Sequence, residues 1–222
     1  MKRLQILLYI VALTACCSLS AIALSAPFPP IDEGADEPDF ALFREQLIQI
    51  VDTQDIQALD PLIHPDAQMS FGGNTGRNIV LKTIKQTPGY WSILANILRK
   101  GGEFRIESGS NGSEERAFYA PYTFFAEIPG SDNFAVVVLT DPAVPVYDEP
   151  VTTSKVIQRF RNEALAVVFG DKADNQTWFE IELPKGGTGF VQANQVTLST
   201  DYRAGFVKHN GKWKMKFLGA GD

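Results

Sequence analysis

The chain has 222 residues, 45% of them hydrophobic, 21% charged and 11% aromatic, with a formal charge of −6 at pH 7. That much apolar and aromatic surface can bury a core against chain entropy, which excludes a disordered chain. The 18 Gly and 13 Pro follow no period and only two Cys occur, which excludes a collagen-like chain and a disulfide scaffold.

In chain order, Lys2 and Arg3 form a short positive segment ahead of an apolar run from Leu4 to Leu24. Ala23 and Ser25 put small residues at the −3 and −1 positions of a peptidase site, which predicts an export signal over 1–25 cut between Ser25 and Ala26. Two alternatives stand beside it. Leu13 to Cys16 ("LTAC") resembles a bacterial lipobox, which would make a lipidated Cys16 the N-terminus, although the residues after Cys16 stay apolar where a lipoprotein tether is polar. An apolar run of about 20 residues is also long enough to remain as an uncleaved membrane anchor. The expected location is therefore periplasmic or extracellular, soluble or held at Cys16.

Export carries its own exclusions. Cys16 and Cys17 both lie in the signal, so the rest of the chain has no thiol for a cysteine nucleophile. Removing Lys2 and Arg3 from the 20 basic residues leaves 18 against 26 acidic residues, a formal −8. Such a surface repels nucleic acid and anionic lipid, so membrane contact is expected only through a kept or lipidated signal segment. Outside the cytoplasm there is also no ATP pool for a kinase or ATPase.

Residues 26–38 ("APFPPIDEGADEP") are rich in Pro and acid and read as a flexible linker. An α+β region is expected over 39–130. Phe40, Phe43, Leu47, Ile50 and Val51 recur at helical spacing, and a second short helix carries Ile56, Leu59, Leu62 and Ile63 until His64-Pro65-Asp66 ends it. Residues 72–78 ("GGNTGRN") read as a loop. A third helix carries Tyr90, Trp91, Leu94, Ile97 and Leu98, with Pro88 in its first turn and Arg99, Lys100, Gly101 and Gly102 closing it. The period then changes to two at Phe104 and Ile106, and 117–128 reads as a strand whose Pro121 suggests an edge.

From Phe134 the pattern is all-β, with short turn-punctuated strands such as "FAVVVL", "VPVYDEP", "KVIQRF", "ALAVVFG" and "TWFEIEL". Over 134–199 the chain resembles a bacterial SH3-like (SH3b) domain. The resemblance is carried by "VPVYDEPVTTSKVI", by Trp178-Phe179-Glu180-Ile181 and by Gly189-Phe190-Val191, where Phe190 stands in place of the family's usual Tyr or Trp. It implies a small five-strand barrel, with Trp178 in its core and Tyr147 in a long loop as the candidate ligand-binding residue; loop packing is the alternative for Tyr147. Residues 200–222 form a hairpin around Asn210-Gly211, with Trp213, Met215 and Phe217 on one side and Lys212, Lys214 and Lys216 on the other. This hairpin is expected to return to the N-terminal region. Together with the helix and "LIHPDAQMSFGG", it resembles the cone-shaped folds of the nuclear-transport-factor class. The fold class is thus α+β: an N-terminal helical/α+β region, an SH3-like barrel and a C-terminal β-hairpin.

The search for chemistry returns few candidates. A zinc amidase needs three protein ligands, but only His64 and His209 exist, 145 residues apart and without an HExxH spacing. That leaves only a His–Asp–His set drawn from distant segments. No GxSxG occurs for a serine hydrolase. His64 and Asp66 read as helix-end and turn residues, and Tyr90 and Trp91 as core. "GGNTGR" lacks the Lys-Ser/Thr end of a phosphate loop. The sequons at Asn111 and Asn175 are discounted for a bacterial chain. Carboxylate pairs for glycoside hydrolysis are defined by spatial separation, so none is singled out. The three-Lys face reads as a solvated, edge-protecting strand face, with a grip on an anionic polymer as the alternative. No catalytic residue, metal or cofactor is assigned. The expectation is an exported non-catalytic protein whose SH3-like barrel binds a cell-wall peptide or envelope protein. An unrecognised envelope enzyme with its site in 39–130, and a small-ligand pocket in the N-terminal region, are the alternatives.

Overall fold

The computed structural model describes residues 25–69, 75–108, 114–128, 136–140, 142–168 and 177–220. The signal through Leu24, Cys16, Gly72, Gly73 and both sequon asparagines lie outside those residues. The fold is α+β, with four α-helices and three sheets among the described residues.

The first module is built on helix α1 (Pro38–Thr53), whose Phe40, Phe43, Leu47, Ile50 and Val51 are all buried. Its stripe meets the inner face of a five-stranded sheet. The strands are β2 (Ile63–Gln68), β3 (Glu103–Ser108), β4 (Glu114–Ala120), β12 (Arg203–His209) and β13 (Lys212–Gly219), in the order β2-β13-β12-β4-β3. Phe40 has no exposed surface, and its ring contacts those of Phe43, Phe104, Phe118, Phe206 and Trp213. Each fully buried Phe contributes about 2 kcal/mol of transfer free energy, so this aromatic knot fixes how the helix sits on the sheet. Helices α2 (Ile56–Leu59), α3 (Arg77–Gln86) and α4 (Tyr90–Arg99) complete the layer, burying Leu59, Val80, Ile84, Leu94, Ile97 and Leu98.

Several expectations for this region are corrected. Residues 26–38 are not a loose linker. Ser25–Pro27 form strand β1, paired with Glu163–Leu165, so the expected cleavage bond Ser25–Ala26 lies inside a sheet. Asp32 takes a bidentate ion pair from Arg44, and Gly34 is buried where a Cβ would come within 2.8 Å of Phe40 and 2.9 Å of Phe118. His64-Pro65-Asp66 do not end a helix: they lie in β2, an edge strand that runs parallel to β13 and so tolerates Pro65. The loop expected at 72–78 gives way at Arg77 to α3, whose buried stripe of only Val80 and Ile84 is too short to stand out as a period. Pro88 lies in the turn before α4, whose first turn begins after Gly89. Pro121 does not mark an edge; β4 lies between β3 and β12, and Pro121 simply ends it.

The β12–β13 hairpin turns through Asn210 and Gly211, both at positive φ as a two-residue type I′ turn requires. Its register carries a bulge: Gly205 faces Phe217 but Phe206 faces Met215, which leaves Lys216 as the extra residue. The alternation therefore flips. Trp213, Met215 and Leu218 join the core, while Phe217 moves to the opposite face against Gly205, correcting the expected Trp213/Met215/Phe217 stripe.

The second module holds two four-stranded sheets. β1 (Ser25–Pro27), β8 (Glu163–Ala166), β5 (Val136–Leu139) and β11 (Thr197–Leu198) form one; β7 (Val156–Phe160), β6 (Val144–Tyr147), β10 (Thr188–Gln192) and β9 (Trp178–Glu182) form the other. They share a core of Val137, Leu139, Val144, Val146, Phe160, Leu165, Val167, Ile181 and Val191. Among the described residues an isolated bridge, Val167 to Ile181, links them, and neither sheet closes into a barrel. β1, drawn from the other end of the chain, takes the free edge of β8. The outer face of that sheet is covered too: Phe28, Ala126 and Ile128 pack on Val136, Val138, Ala164 and Ala166. Segment 121–128 thus runs from the end of β4 onto the outer face of this sheet.

Candidate functional site

Tyr147 does not lie in a loop. It ends β6, directly across from Phe190 on one side and Val156 on the other, and Phe190 in turn faces Glu180. Strand alternation sends Val146, Val191 and Ile181 into the core, so Tyr147, Phe190 and Glu180 share the outer face. Trp178 stands on that face as well, edge-to-face with Tyr147 at 5.3 Å between ring centroids. Both rings are half-buried. Val156, paired with Tyr147, is 38% exposed. Trp178 is therefore not a core residue. A signal for this was present: Trp178, Glu180 and Glu182 share one parity, Phe179, Ile181 and Leu183 the other, and a parity that carries two glutamates faces water.

The only two histidines meet on the outer face of the five-stranded sheet. His64 Nε2 lies 3.1 Å from His209 Nδ1, and the Asp66 backbone N–H donates to His64 Nδ1 at 3.0 Å. The amide fixes the protons. His64 Nδ1 accepts, so its neutral ring carries the proton on Nε2 and donates to His209 Nδ1, which places the His209 proton on Nε2. Both lone pairs are thus occupied, and neither ring offers a free base or metal-ligating nitrogen in this arrangement. Among the described residues no cluster of three or more His, Cys, Asp or Glu could hold a metal. Burial, then the neighbouring His209 and Lys216, hold the His64 pKa below its ordinary value, against the opposing pull of Asp66 and Glu115.

The hairpin lysines are mostly engaged. Lys214 Nζ donates to the Pro61 carbonyl and Lys216 pairs with Glu115 at 2.9 Å, which leaves Lys212 exposed at the turn.

A cleft of about 190 Å³ opens where α4 meets the β11–β12 connection, lined by Ile93, Asn96, Ile97, Lys100, Pro121, Thr197, Asp201 and Tyr202. Lys100 Nζ donates to Thr197 Oγ1 at 2.7 Å, and Asp201 Oδ2 accepts the Leu198 N–H at 3.0 Å. The Tyr202 hydroxyl lies 3.4 Å from that of Tyr90, which is half-buried at the margin of the core. Burial lowers the Lys100 pKa, partly offset by the Asp201 charge, and raises that of Asp201, partly offset by the Leu198 amide and then by the Lys100 charge. Both residues are exposed as a whole. Sequence reasoning missed this pair, because Lys100 read only as the basic end of a helix and Asp201 carried no pattern at all.

No family model matches the chain, and no curated protein matches it. Among solved structures, a chain titled Rd1NTF2_05 is similar over 86% of this chain and 100% of its own, at 15% identity and a TM-score of 0.29. Aln2 from a Streptomyces species is similar over 87% of this chain and 93% of its own, at 11% identity and a TM-score of 0.32. Neither likeness is close enough to assign this chain a fold or a function.

Proposed function

We propose that this chain is an exported, non-catalytic binding protein whose second module, an SH3-like (SH3b) domain, recognises an extended peptide of the cell wall or of an envelope protein. The observation that carries the reading is the half-buried Tyr147–Trp178 pair, set beside Phe190 and Val156 on the outer sheet face. Rigid aromatic rings give large contact area for little entropy loss and dominate many interfaces. Glu180 in the same row favours a peptide that carries a basic side chain or free amine. The segments that resemble the SH3b family fall on β6, β7, β9 and β10, which lie in one sheet in the order β7-β6-β10-β9. Export follows from the N-terminal signal, with the Ser25–Ala26 bond cut before β1 pairs.

The test is co-sedimentation with purified cell-wall sacculi. Tyr147→Ala and Trp178→Ala should each weaken binding by about 2 kcal/mol while the melting temperature changes little, since both rings are partly in water. If both variants sediment like the native chain, the aromatic face is not the binding surface.

A further inference from the structure

We propose that the cleft between α4 and the β11–β12 connection binds a small zwitterion, an α-amino acid with a short apolar side chain, its carboxylate on Lys100 and its ammonium on Asp201. This site lies apart from the aromatic face and does not depend on it.

Three features of the cleft select such a ligand. The first is charge. Lys100 and Asp201 face one space and feel each other's field, yet they form no ion pair; Lys100 spends one hydrogen on the Thr197 hydroxyl and Asp201 Oδ2 accepts one backbone amide. A single molecule bearing both charges can answer the two at once, whereas a simple anion or cation meets only one of them. The second is size: a cleft of about 190 Å³ accommodates a small amino acid. The third is the wall. Ile93, Ile97 and Pro121 offer an apolar surface to a short side chain, while Asn96 and the Tyr202 hydroxyl supply further polar contacts at the rim. The direction of both pKa shifts agrees with charges held short of full solvation, which a bound counter-charge would restore.

The experiment is an NMR titration of the isotope-labelled full chain with alanine, acetate and ethylammonium, following the amides of α4 and of Thr197–Tyr202. Alanine should shift these amides saturably, with acetate and ethylammonium binding at least about tenfold more weakly. Lys100→Met, and Asp201→Asn, which keeps an acceptor for the Leu198 amide, should each weaken alanine at least about tenfold at unchanged melting temperature. A response to acetate equal to that of alanine would overturn the zwitterion and leave an anion site. Absence of any saturable shift with alanine, or equal alanine binding by both variants, would overturn the site itself.

Discussion

Replacing His64 by Gln should flatten the loss of stability that the native chain undergoes on mild acidification. In the fold His64 is 8% exposed, and its Nδ1 accepts the Asp66 amide while its Nε2–H donates to His209. Charging the ring would put a proton on Nδ1, against that amide hydrogen, so the protonated form must break the contact. In the unfolded chain His64 titrates near 6.5. Because the folded value is lowered, chiefly by burial, the unfolded chain takes up a proton below pH 6.5 that the folded chain refuses. The contribution is therefore intact above pH 6.5 and is lost as pH falls toward the lowered folded value. One proton sets a ceiling of about 1.4 kcal/mol per pH unit on the slope. Glutamine keeps an amide donor toward His209 but does not titrate, and it leaves the Asp66 N–H without its acceptor. His64→Gln should accordingly start about 1–3 kcal/mol less stable at neutral pH, yet lose less between about pH 7.5 and about pH 5.5. Urea unfolding of both proteins across that interval measures the difference. Equal losses in the two would refute the tautomer chain and the burial argument together.

Two packing predictions concern the first module. Gly34→Ala would set a methyl 2.8 Å from the Phe40 ring and 2.9 Å from Phe118, both fully buried, and should cost about 1–3 kcal/mol, read as a melting temperature lower by several degrees; an unchanged value would restore the loose linker. Met215→Ala should cost about 2–5 kcal/mol and Phe217→Ala less, because the bulge at Lys216 puts Met215 in the core and Phe217 on the far face. The reverse order in thermal melts would mean that the hairpin pairs without the bulge.

The sequence alone determined what depends on near neighbours in the chain. The stripe Phe40, Phe43, Leu47, Ile50 and Val51 specifies a helix and its buried face, because side chains three and four apart stack on one side. Asn210-Gly211 specifies a tight hairpin, because only such residues accept positive φ at both turn positions. The parity of Trp178, Glu180 and Glu182 held the aromatic face in readable form. What the tertiary structure decided are the meetings that loop closure makes independent of local pattern. His64 and His209, 145 residues apart, become one hydrogen-bonded pair because β2 and β12 flank β13. Ser25–Pro27 leaves an acidic, Pro-rich stretch to close the edge of β8. Lys100 and Asp201 share a cleft because β11 brings the second module back to the end of α4. A bulge of one residue, invisible in the alternation of "KWKMKFL", sends Phe217 out of the core, since the side-chain period of a strand is two and a single insertion inverts it.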